Sequence, residues 1–454
     1  MMASSEARPG SFLCMLAGVT LAALVMLAPG APLIASDQVP APAQKRPVAI
    51  TAVEIHPVEA PAIPDGTIVF DKGVITALGA ADVPIPEGAL VIDGAGRRLY
   101  PGLIATSTEI GLVEIGAVRA TRDQREVGEI NPNVRAEVSV NPDSELIPVT
   151  RANGIALAVS RPSGGLISGS SALLRLDGWT WEDLVVRAPL GIEVRWPRMQ
   201  VEVVGDKEAT RKRRQRRDRQ IAAIRDAFQE ARASARARAA RAGRDPLAVD
   251  LRSEALLPAI EGECPVFLHV GGEREIRAAV EWALGEGLRP VIVGGADVVR
   301  LIDFLKERPV AVIYGPVHRL PSRRDAPHDE AFTAPAELFR AGIPFAIGGF
   351  SSSNARNLPY HAAMAAAHGL PPEEALRAIT LSAAQILGVA DSYGSLAIGK
   401  SATLMLTDGD PLEIVTAVEA LWIDGREIDL TSRHTTLNEK YAEKIRRHRG
   451  SQRF

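Results

Sequence analysis

The sequence predicts an α/β fold, and two patterns carry that prediction. Short apolar, strand-like runs recur at residues 99–104, 155–159, 172–176, 192–196, 266–270, 291–293, 310–314 and 345–347. Helical patterns follow several of them, at residues 273–284, 297–307 and 334–341. Strands alternating with helices argue for parallel βα units, and eight such strands argue for a TIM-type barrel. A chain of 454 residues is long enough for one large domain plus a smaller one.

The elements follow in chain order. Residues 1–36 read as a secretory signal. Arg8 precedes an apolar run at residues 12–28, then come Pro29-Gly30 and small residues, with Ile34-Ala35-Ser36 as the cleavage site. The expected location is therefore periplasmic or extracellular. An uncleaved N-terminal membrane anchor is the alternative, since Glu6 offsets Arg8. The run is shorter than the roughly 20 residues that span a bilayer. Residues 37–47, rich in Pro and Ala, read as a linker.

Residues 48–98 form short strands at 48–55, 67–70, 74–78 and 90–92, with Asp71-Lys72-Gly73 as a hairpin turn. The barrel is placed at residues 99–394. Residues 395–430 return to strands, at 402–406 and 420–423, with a turn at Asp424-Gly425. Residues 431–454 are a C-terminal tail. Within the barrel segment, residues 206–244 are a long Arg- and Ala-rich helix. Ile221, Ile224 and Phe228 fall at spacings of three and four, which predicts an exposed helix docked by one apolar stripe. Asp218, Asp226 and Glu230 interrupt its basic run.

Composition excludes some function classes. The net charge of −3 gives no footprint of a nucleic-acid partner. Two cysteines, Cys14 and Cys264, make no disulfide framework. No stretch has the spacing of a Ser-His-Asp triad or a phosphate loop.

One stretch organises the rest: Leu99-Tyr-Pro-Gly-Leu-Ile-Ala-Thr-Ser-Thr-Glu-Ile-Gly-Leu112. Before it comes Val91-Ile-Asp-Gly-Ala-Gly-Arg-Arg98, and far downstream comes Gly394-Ser-Leu-Ala-Ile-Gly-Lys-Ser-Ala-Thr-Leu404. Together these resemble the amidohydrolase superfamily, and within it the imidazolonepropionase-like hydrolases. The resemblance implies a barrel with a small composite β-sandwich built from both chain ends. It also implies metal-dependent hydrolysis of carbon–nitrogen bonds other than peptide bonds. In such relatives the first strand reads Pro-Gly-Leu-Ile-Asp-x-His-x-His, and the two histidines hold the metal.

Here Ala105 replaces the aspartate, and Ser107 and Glu109 replace the histidines. The fourth run, residues 192–196, lacks the lysine that many relatives carry there. The fifth retains His269. The sixth ends in Gly294 and Gly295 where a histidine is expected. The eighth ends in Gly349 and Phe350 where an aspartate base is expected. His318 follows the seventh strand.

A rebuilt metal set is therefore Glu109, His269 and His318, with zinc as the candidate ion. The other expectation is no metal, or one weakly bound divalent ion. Arg119, Arg122 and Arg356 are candidate substrate-binding cations for an acidic or zwitterionic ligand, or they pair with acids such as Asp123 and Glu126. The Gly- and Ser-rich residues 162–171 allow close backbone approach to a ligand, or form a plain loop. Two functions remain open. One is an exported hydrolase of this class with most usual metal ligands lost. The other is a non-catalytic barrel that binds a small ligand or a partner. The expected partner is a small molecule, with a second copy of the chain as a further candidate.

Overall fold

The computed structural model describes residues 38–200, 206–240 and 249–451. The expected signal segment, Cys14 and the last residues of the predicted long helix lie outside the described residues. Contacts divide the chain into Met1–Gln38 and Val39–Phe454, and the architecture described here is that of the second unit.

The first sheet joins the two ends of this unit. Its N-terminal strands are β1 (Val48–Ile55), β2 (Ile63–Asp71), β3 (Val74–Ala80), β4 (Leu90–Asp93) and β5 (Arg98–Pro101). Three more come from far downstream: β14 (Leu404–Thr407), β15 (Val418–Ile423) and β16 (Arg426–Glu427). The seam is the antiparallel pair β5–β14, which sets Leu99 opposite Leu406 and Pro101 opposite Leu404. Ile50, Ile68, Phe70, Leu99, Leu404 and Trp422 form its buried core, with Phe70 edge-on to Trp422. The composite module expected from both chain ends is thus one hydrogen-bonded sheet.

The second sheet is a nearly closed barrel of eight strands in chain order. These are β6 (Leu103–Thr108), β7 (Ile155–Ser160), β8 (Ile167–Arg175), β9 (Val185–Arg195), β10 (Val266–Val270), β11 (Pro290–Gly294), β12 (Ala311–Tyr314) and β13 (Phe345–Ile347). Each of the eight apolar runs of the sequence contributes one of these strands. The last meets the first where the Phe350 amide donates to the Ser107 carbonyl at 2.7 Å.

Two details depart from the expectation. The run at residues 99–104 is two strands, because the chain passes from one sheet to the other at Gly102. A Cβ there would lie 2.6 Å from Ala156 Cβ and 3.0 Å from Thr403 Cγ2, so only glycine fits the crossing.

The barrel is also not wholly parallel: β8 runs antiparallel to both β7 and β9. Only residues 161–166 join β7 to β8. A parallel neighbour needs a crossover of a dozen or more residues, so a short loop enforces a reversed strand. As a result the start of β8 lies at the same barrel mouth as the ends of β7 and β9.

The predicted long helix spans Lys207–Ala239, with Asp206 accepting from the Glu208 amide at its start. Ile224, Phe228 and Ala231 are its buried stripe. Phe228 packs edge-on against Trp282 of the helix Glu273–Gly285, and Trp282 in turn meets Trp196. The C-terminal tail carries a second long helix, Arg433–Ser451.

Candidate functional site

The ends of several barrel strands gather charged and polar side chains. β6 brings Ser107, wholly buried, and Glu109 follows directly. Arg161 stands at the end of β7, with its side chain 11% exposed. Its Nε donates to Ser107 Oγ at 2.9 Å, and its Nη1 lies 3.8 Å from Glu109 Oε1. The backbone holds it there, because the Arg161 amide donates to the Thr108 carbonyl at 3.1 Å. Thr108 Oγ1 donates to the Val159 carbonyl and Ser160 Oγ to the Ile110 carbonyl, tying β6 to β7.

Two strands further round, β9 supplies Glu193 and β10 supplies His269. Glu193 Oε2 and His269 Nε2 are 2.5 Å apart. Burial holds the His269 imidazolium below its ordinary range. The bond and the charge of Glu193 oppose that, and the guanidinium groups of Arg161 and Arg195 reinforce it. Arg195, at the end of β9, lies within electrostatic reach of Arg161, Glu109, Arg125 and Glu193. Arg125 lies across Gly164, whose φ of +99° and missing Cβ make room for it.

Beyond β12, His318 packs against His361 with ring centroids 4.4 Å apart and the rings tilted by 33°. The His318 amide donates to His361 Nδ1 at 3.2 Å. Burial, with a smaller contribution from the neighbouring His318, lowers the His361 pKa to about 4. At the end of β13, Gly349 and then Phe350 stand where an aspartate is expected. Phe350 has a φ of +55°, a left-handed conformation that is rare for a bulky residue. Its ring lies where a Cβ on Gly315 or Gly348 would stand.

The candidate residues of the sequence therefore scatter. Glu109 is held by Arg161, His269 by Glu193 and His318 by His361. Among the described residues no group of three or more His, Cys, Asp or Glu side chains gathers to hold a metal ion. Glu109, His269 and His318 thus do not form the expected three-ligand set.

Arg122 Nη1 donates to the Gly116 carbonyl of its own loop, at 3.5 Å. Arg119 sits in a short turn, Arg119–Thr121. Arg356 Nη1 donates to the nearby Ser353 carbonyl, and its own carbonyl accepts from Asn153 Nδ2 at 2.6 Å. Among the described residues no hydrogen bond or ion pair joins these three arginines to Glu109, Glu193 or His269. The cations near the mouth are instead Arg125, Arg161 and Arg195.

Sequence reasoning passed over Glu193 because the fourth strand was searched for lysine. It passed over Arg161 because that residue closes a strand rather than a motif. Glu193, the one acidic residue inside the apolar run of residues 192–196, was the available signal.

Residues 329–430 match the family model described as the amidohydrolase family. That segment is the part of the chain that matches an amidohydrolase-family domain. The curated amidohydrolase tasK of Hapsidospora irregularis is 24% identical over 397 residues, which cover 79% of this chain and 39% of that protein. The chain thus spans about two fifths of the length of that relative.

Among solved structures, an amidohydrolase from Thermotoga maritima MSB8 superimposes with a TM-score of 0.75 at 22% identity, covering 84% of this chain and 99% of that one. An adenosine deaminase from Xanthomonas campestris with bound zinc superimposes with a TM-score of 0.51 at 17% identity, over 89% and 100% of the two chains. Molinate hydrolase gives a TM-score of 0.51 at 15% identity, over 87% and 96%. At these identities the likeness is one of fold: an amidohydrolase barrel with its companion sheet.

The fold family implies a catalytic metal, so the donor set must be tested against one. A catalytic zinc takes three protein ligands and keeps a position for water. Around the barrel mouth, Ser107 is a poor ligand and Arg161 lies against both Ser107 and Glu109. A guanidinium is a fixed cation, and its charge opposes a second cation beside it. The residues present do not fit a tightly held zinc.

Proposed function

We propose that this chain is an exported, amidohydrolase-related hydrolase of carbon–nitrogen bonds other than peptide bonds. Its chemistry rests on its own side chains at the barrel mouth. The family domain and the fold support the reaction class. The observation that carries the reading is the buried Glu193–His269 pair at the strand ends, beside the Arg161 guanidinium.

Each group has a chemical use. A neutral imidazole accepts a proton from water as the water oxygen attacks a carbonyl carbon. The Glu193 carboxylate orients the ring and stabilises the imidazolium that forms, as the acid of a hydrolytic triad does. A guanidinium offers positive charge to the oxyanion that develops on the carbonyl oxygen. The carbon–nitrogen bond then breaks, and the nitrogen leaves with the proton returned by the imidazolium. The imidazolonepropionase-like subtype is part of this reading and rests on the motif at residues 99–112. In this reading the site holds no tightly bound zinc.

A second reading is favoured by one observation. Arg161 already contacts both Ser107 and Glu109, as in a finished binding site for a small molecule that is held and not cut. Incubation with a panel of cyclic amides, imides and N-acyl amines separates the two. Ring opening of the cyclic substrates to the free acid, or release of amine from the N-acyl amines, that is lost in His269→Ala supports the hydrolase. Saturable binding with no ring opening or release in any member supports the binding barrel. Export is tested separately: N-terminal sequencing of the mature protein should begin near Asp37, and an intact segment on a membrane-bound protein points to the anchor.

A further inference from the structure

The helix Arg433–Ser451 is unlike every other long element of the fold. Ser432 fixes its start: Ser432 Oγ accepts from the Thr435 amide, and the Ser432 carbonyl accepts from the Thr436 amide at 3.0 Å. Beyond that root the helix is exposed along almost its whole length. Leu437, Tyr441 and Ile445 follow at spacings of four and are 37%, 54% and 53% exposed. Helices in folded proteins owe most of their stability to packing of an apolar face, and this face is open.

The charges are arranged around that face. At 3.6 residues per turn the three apolar side chains cover about 80° of the helix surface. Arg433, Lys440 and Lys444 fall within about 60° of Leu437 along one edge of the stripe. Arg449 lies about 40° beyond Ile445 on the other edge. Glu439 and Glu443 are on the opposite side, where Glu443 is engaged by Arg446 and Arg447. Among the described residues Arg433, Lys440, Lys444 and Arg449 make no ion pair. The stripe is thus bordered by free cations, and its acids point away.

We propose that this helix docks on an anionic lipid surface, with Leu437, Tyr441 and Ile445 in the interface and the flanking cations on the headgroups. An apolar stripe edged by Lys and Arg suits that position. A second copy of the helix is a poor occupant, since stripe-to-stripe pairing brings like-charged edges together. The inference is independent of the barrel mouth and of any hydrolytic activity.

The test is flotation of the purified full chain with two kinds of vesicle: phosphatidylcholine alone, and phosphatidylcholine mixed with phosphatidylglycerol. Binding to the anionic vesicles should be at least about tenfold stronger, and should weaken as salt is raised. The variant Leu437→Ser/Tyr441→Ser/Ile445→Ser, and separately Lys440→Glu/Lys444→Glu, should each lose that preference. These side chains are exposed, so both variants should keep the wild-type thermal unfolding transition.

Equal binding to both vesicles would trace the attachment to an apolar segment such as residues 12–28 and overturn the proposal. So would retention of the anionic preference by both variants. A homodimer seen by light scattering and abolished by the serine variant would instead assign the stripe to a second copy.

Discussion

Glu193 Oε2 lies 2.5 Å from His269 Nε2, and the Glu193 side chain is only 2% exposed. The acid therefore has one imidazole as its partner and almost no water. Removing the ring in His269→Ala strands a buried carboxyl group, and such uncompensated groups cost about 3 kcal/mol. Glu193→Gln keeps an accepting oxygen and should cost about 1 kcal/mol. Urea unfolding of the two variants checks the order. If Glu193→Gln is the more damaging, the pair is not held together in this way. Under the hydrolase reading, His269→Ala should also lower kcat by about 10²-fold or more.

Metal content is the second test. The protein purified without chelator should carry far less than one tightly held zinc per chain. Arg161 already lies against Ser107 and Glu109, and no three-ligand group is present among the described residues. Ser107→His alone should create no zinc-dependent activity, because the second-strand ligand and the aspartate base remain absent. Stoichiometric zinc that survives dialysis, and disappears in both His269→Ala and Glu109→Ala, would mean that the mouth rebuilds itself around the ion.

Acid stability should report on His361. Its pKa falls to about 4 in the folded chain, from an ordinary value near 6.5. Between those values the unfolded chain takes up a proton that the folded chain refuses. Stability therefore falls as pH drops through that window, by up to about 1.4 kcal/mol per pH unit. His269 is shifted in the same direction and adds to the slope. His361→Asn keeps an acceptor for the His318 amide and removes the titration. Its stability should depend less steeply on pH between about 4 and 6.5 than the wild type. An unchanged slope would assign the acid sensitivity elsewhere.

The composite sheet makes a prediction about truncation. Deleting residues 395–454 removes β14 and with it the partner of β5. It also removes Leu404, Leu406 and Trp422 from a core they share with Ile50 and Phe70. Each buried side chain of this kind is worth about 1.5–3 kcal/mol, against a total stability of about 5–15 kcal/mol. The truncated chain should be insoluble or only partly folded by circular dichroism. A soluble chain that unfolds cooperatively would show that the N-terminal strands need no C-terminal partner.

The sequence by itself determined the strands and their order. Each of the eight apolar runs supplied a barrel strand, because a run buried on both faces needs little context to be recognised. The turn at Asp71-Lys72-Gly73 and the docked stripe of Ile224 and Phe228 were legible for the same local reason.

Tertiary structure decided what distance along the chain conceals. The pairing of β5 with β14 joins residues about 300 positions apart in sequence. The reversal of β8 follows from a loop too short for a crossover helix, yet only the folded barrel shows which strand turns. At the site, His269 was legible as a histidine at a strand end. That its partner is Glu193, while Arg161 takes Ser107 and Glu109, depends on which side chains the closing barrel aims at one another. No spacing in the chain records that.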